Sequence, residues 1–299
     1  NKIKSRRIIL WNLSIIIQLL LSRDVIGLSL GNNSVPSILP TDGREVIQQA
    51  AQAIASAFQE GGIHRQIIRL PLSETMYGNK EEGFVADRAI GWQGGSQEIY
   101  SYLSPLMIDV LKELTPYVGG SSSSDGGLVA RVNEQILLDF DGTSLLTAEH
   151  PSGPLYDIQA ILQPSTDDYY RKTILKIEEQ FSDTEGKSKR LFLLVNPVWR
   201  DKNSWGFFGA NRAQKEILDR YKTTFAMDQF VVRGRKISLL RTWSSHDDDG
   251  WSVFLTLMPY EQKREEEENC PKCIGTFSKR PSYIELDALV KSNIINSAG

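Results

Sequence analysis

Five consecutive apolar residues, Leu191-Phe192-Leu193-Leu194-Val195, stand between Arg190 and the polar pair Asn196-Pro197. No polar side chain interrupts them, so a strand here must be covered on both faces. Such a strand needs helices on either side of its sheet, and the flanking sequence supplies them. Asp42 precedes Glu45 at capping-box spacing, and Val46, Ile47, Ala50, Ala53, Ile54, Ala57 and Phe58 recur at helical period until Gly61-Gly62. Ile67, Ile68, Leu70 and Leu72 follow as a buried strand. A second helix carries Ile99, Leu103, Leu106, Met107, Val110, Leu111 and Leu114, with Pro105 expected to kink or break it. Further helices are expected over 167–181, 211–225 and 284–294, and further strands over 128–132, 135–140, 158–162, 229–233, 236–242 and 251–258. Alternating helices and strands imply an α/β protein: a mixed central sheet flanked by helices, in a Rossmann-like three-layer architecture.

The organisation reads as a leading segment, a linker and one domain. Residues 1–7 carry Lys2, Lys4, Arg6 and Arg7, and residues 8–21 are almost wholly apolar. A basic start before a short apolar run is the pattern of a targeting segment, expected over 1–30. The run is shorter than the roughly 20 residues a membrane-spanning helix needs. Residues 31–41, with Pro36 and Pro40, form the linker, and 42–299 the domain. Within it, GGSSSSDGG at 119–127 reads as a surface loop and 261–275 as an acidic loop. Removing residues 1–30 leaves 29 basic and 36 acidic residues, a mildly acidic body with no basic surface for nucleic acid. The two cysteines, Cys270 and Cys273, are too few and too close to staple a secreted fold, which suits a reducing compartment.

Several constellations could carry chemistry. Ile136-Leu137-Leu138-Asp139-Phe140-Asp141-Gly142-Thr143 resembles the first motif of haloacid-dehalogenase-like phosphohydrolases. There, one carboxylate attacks phosphorus and holds Mg²⁺, and the second moves the proton. On that reading Asp139 and Asp141 are catalytic, with Lys236 and Asp247–Asp249 as remote candidates; the competing reading is an Asp-Gly turn. Cys270 and Cys273 have the spacing of half a zinc site, but no second pair completes it and His64, His150 and His246 lie far off. No metal site and no cofactor are therefore expected. Gly94 and Gly95 precede a helix and are a candidate anion-binding turn. Asn196, Trp199, Arg200, Trp205, Phe207 and Phe208 follow the central strand, where α/β proteins gather ligands. They are a candidate partner-binding loop, or else a loop folded back over the core.

Several ordered blocks carry a resemblance: GWQGGSQEIYSYLSPLMIDVLKEL, DFDG with TAEHPSGP, IQAILQP, LFLLVNPVWR, WSVF and KRPSYIELDAL. From about residue 39 to 289 the chain resembles the plant and algal family called domain of unknown function 1995. The resemblance implies a plastid protein, associated with stroma or thylakoid, because members are typically plastid-located. One relative assists photosystem II assembly and another carries the domain fused to an adenylate kinase. It implies a non-catalytic auxiliary or assembly factor with a protein partner, such as a photosystem assembly intermediate, and peripheral contact with a membrane. The alternatives are the phosphohydrolase and a nucleotide- or anion-binding module. The family pattern supplies no catalytic residue to carry over.

Overall fold

The computed structural model describes residues 38–72, 95–118, 131–138, 141–151, 153–180, 190–245, 250–256 and 271–297. The leading segment, the linker as far as residue 37 and the loop at 119–127 lie outside them.

Helix α1 (Gly43–Gln59) starts where the spacing of Asp42 and Glu45 places it. The Asp42 carboxylate accepts from the Glu45 N–H at 2.9 Å, and the Glu45 carboxylate accepts from the Thr41 N–H at 2.7 Å. Strand β1 (Arg65–Arg69) follows, then α2 (Ser96–Val118), which runs unbroken through Pro105 and Pro116. Pro105 therefore does not break the helix; the apolar face from Ile99 to Val118 is held by the core on both sides of it. Strands β2 (Arg131–Leu138) and β3 (Thr143–Glu149) form a hairpin. This corrects the expectation of separate strands at 128–132 and 135–140 and adds one over 143–149. The order continues as β4 (Ile158–Leu162), α3 (Asp168–Gln180), β5 (Leu191–Val195), α4 (Gly206–Ala213) and β6 (Lys222–Val232). The helix expected at 211–225 instead starts earlier, passes into a π-turn at Gln214–Leu218 and stops. Phe225 belongs to β6, because pairing with β1 decides the segment. Strand β7 (Arg235–Thr242) returns through Arg233 and Gly234, both at positive φ, as a two-residue hairpin turn requires. Strands β8 (Trp251–Thr256) and β9 (Lys272–Phe277) and helix α5 (Tyr283–Ser297) close the chain. Residues 272–275, expected within the acidic loop, thus belong to a sheet strand that runs on to Phe277.

The strand order is β2-β3-β4-β5-β1-β6-β7-β8-β9. Strands β4, β5, β1 and β6 run parallel, and the pairs outside them are antiparallel. Alternation along β5 divides the core. Leu191, Leu193 and Val195 join α1 and α2 on one face, while Phe192 and Leu194 join α3 and the segment after β5 on the other. On that second face α5 covers β6–β8 through Leu286 and Val290. The sheet is therefore the middle of three layers. Gln66, fully buried, ties α1 to the sheet: its Nε2 donates to the carbonyls of Ile54 and Ile63, and its Oε1 accepts from Thr224 Oγ1 at 2.6 Å.

Asp168 opens α3 and binds Lys172 Nζ at 2.7 Å and Arg171 Nη2 at 2.6 Å. The hydrogen bonds from Lys172 and then Arg171 hold its carboxyl down to about 2, below its ordinary 3.8. A folded value below the unfolded one means stabilisation present above the unfolded value and lost as pH falls through the folded one. Asp168→Asn should therefore flatten the acid unfolding curve between about pH 4 and about pH 2, followed by circular dichroism. An acid limb identical to wild type would refute it.

Candidate functional site

Open α/β sheets take ligands beyond the carboxyl ends of their parallel strands, where neighbouring connections diverge over opposite faces. Here that point lies between β1 and β5. From β1 the chain passes through α2, on the first face, to reach β4; from β5 it passes through α4, on the second, to reach β6.

The ends of three parallel strands are laced together at this edge. Gln163 N–H donates to the Val195 carbonyl and Asn196 N–H to the Ile68 carbonyl, both at 2.9 Å. Gln163 and Asn196 each sit just past a strand at positive φ, 50° and 45°. This left-handed conformation costs a side-chain-bearing residue about 1–2 kcal/mol, least for Asn and Asp, and persists only where the surroundings hold it. The Asn196 side chain does so on its own: Nδ2 donates to the Leu70 carbonyl at 2.8 Å and Oδ1 accepts from the Leu70 N–H at 2.7 Å. Val198 N–H donates to the Pro164 carbonyl at 3.1 Å, joining the loops that leave β4 and β5.

Arg69, at the end of β1, completes the edge. Its guanidinium donates to the Pro197 carbonyl at 2.9 Å and to the Trp199 carbonyl. Burial brings its pKa down to about 10; Asp228 opposes that shift, and Arg200 and Arg280 add to it. The group remains charged at neutral pH.

Of the candidate partner-binding residues, Trp199 is 1% exposed and Trp205 is 8% exposed, with their ring centroids 4.8 Å apart. They belong to the core on the α3–α4 face. The loop is thus folded back, and neither indole offers a contact surface; this corrects their assignment as partner-binding groups. Their packing leaves Val198, 46% exposed, at the surface beside Arg200. Phe207 and Phe208 lie in the first turn of α4, and their side chains are outside the described residues.

Gly94 lies outside the described residues, and Gly95 precedes α2, its carbonyl accepting from Glu98 N–H at 3.0 Å. Ser96, at that helix start, accepts from Gln163 Nε2 at 3.3 Å, so the start of α2 stands beside the end of β4. Asp139 is outside the described residues. Asp141 belongs to the β2–β3 turn, where its carboxylate accepts from Thr143 N–H at 3.0 Å. Gly142 has φ 67°, and a Cβ there would stand 2.6 Å from Tyr100 Cβ on α2. The Asp-Gly pair is therefore fixed by turn chemistry and by a close approach to the helix, on an antiparallel edge hairpin. Asp141 thus occupies the Asp-Gly turn that was the competing reading of this motif. Asp247–Asp249 and Cys270 lie outside the described residues, and Cys273 is exposed on β9. Among the described residues no three His, Cys, Asp or Glu side chains come together as metal ligands, and no helix is long and apolar enough to cross a membrane.

The other charged cluster lies at the opposite end of β1. Glu178, on α3 and buried, pairs with Arg65 at 3.2 Å, with Arg220 and with the Tyr221 hydroxyl. Burial and then Glu178 push the Tyr221 hydroxyl well above its ordinary value, so it stays a donor. This cluster stitches α3 to the sheet at the end of β1 away from the Asn196 loop.

Sequence order, sheet topology and this edge define a three-layer α/β protein with the Arg69 guanidinium tied to the loop at its switch point. Within that class, the chain belongs to the family described as Domain of unknown function (DUF1995), whose model matches residues 40–288. No match was found among curated proteins or among solved structures.

Proposed function

We propose that this chain is a non-catalytic plastid protein that acts by binding a protein partner while a photosynthetic complex is assembled or maintained. Family membership supports the reading through what resemblance to that family implies. The observation that carries it is the fixed loop after β5. The Asn196 amide and the Arg69 guanidinium tie it to the end of β1, and two buried indoles anchor the same loop from beneath. A loop held in this way is a rigid rim, and rigid surfaces lose little freedom on binding. Val198 and Arg200 are among the exposed side chains this rim offers to a partner, next to any membrane surface on which the complex is built.

The test is removal of the protein from the cells that make it, followed by native electrophoresis of thylakoid complexes. The expected result is a fall in one photosystem, restored by the wild-type chain but not by a Val198→Asp, Arg200→Glu variant. Unchanged photosystem levels would sink the proposal.

A further inference from the structure

We draw no further inference here: the strongest candidate, the fully buried Gln159 side chain on β4, whose amide oxygen and nitrogen have no hydrogen-bond partner among the described residues, carries nothing because the structure does not show what ligand could reach it.

Discussion

Asn196→Ala should lower the free energy of unfolding by about 3 kcal/mol, read from urea denaturation of the full-length chain. The substitution removes two hydrogen bonds at once and leaves the Leu70 N–H and carbonyl without their partner in a partly buried edge. Each such group costs roughly 1–3 kcal/mol, toward the low end where water can reach. Alanine also tolerates φ 45° less well than asparagine. Asn196→Gly separates the two effects: it keeps the left-handed backbone and loses only the hydrogen bonds, so it should be less damaging by about 1 kcal/mol. A loss under about 0.5 kcal/mol for the alanine variant would mean that water replaces the amide and that β1 and β5 need no staple.

Trp199→Ala should cost about 3–5 kcal/mol, the range for deleting a large aromatic from a packed core. Trp199 is among the largest fully buried side chains of the protein and packs on Trp205. Its removal opens a cavity beneath the rim, and the loop from Asn196 to Trp205 should lose its fixed form with the stability. Thermal unfolding followed by near-ultraviolet circular dichroism would read both. The sequence alone left a partner-binding loop open as one of two readings, the other being a loop folded back over the core. A folded, equally stable Trp199→Ala variant would restore the first of them. Val198→Asp is the contrasting change, because an exposed position can alter binding while the melting temperature holds.

The legible parts of the fold were those that local chemistry dictates. The run from Leu191 to Val195 identified the central strand because nothing but burial on both faces accommodates five apolar residues in succession. The Asp42–Glu45 pair marked the start of α1 to the residue. A second signal of that kind went unread: Ser282 and Glu285 form a reciprocal cap on α5, with the Glu285 carboxylate accepting from Ser282 N–H at 2.7 Å. So did a third: Leu70-Pro71, Gln163-Pro164 and Asn196-Pro197 each follow a parallel strand, and a residue without an N–H cannot extend a ladder. Those three proline pairs mark the site edge.

Other segments were decided at a distance. Thr143–Glu149 has mixed composition and becomes a buried strand because β4 pairs with it. Lys272–Phe277 sits next to an acidic run and becomes β9 because β8 offers it a free edge. Phe225 fits a helical spacing and is drawn into β6 by its register with Ile68. Local patterns cannot report these outcomes, since the partner that settles each lies tens of residues away.

By itself, then, the sequence determined the α/β class, the central strand, the main helices and the loop after β5, all set by periodicity and end chemistry within a few residues. Tertiary structure alone decided the strand order, the hairpin that contains Asp141, the burial of Trp199 and Trp205, and the reach of Arg69 to the carbonyls of Pro197 and Trp199. The reason is one of range. Caps and turns act between neighbours in the chain, whereas strand pairing, burial and the bonds across the strand ends join residues that only the folded sheet brings together.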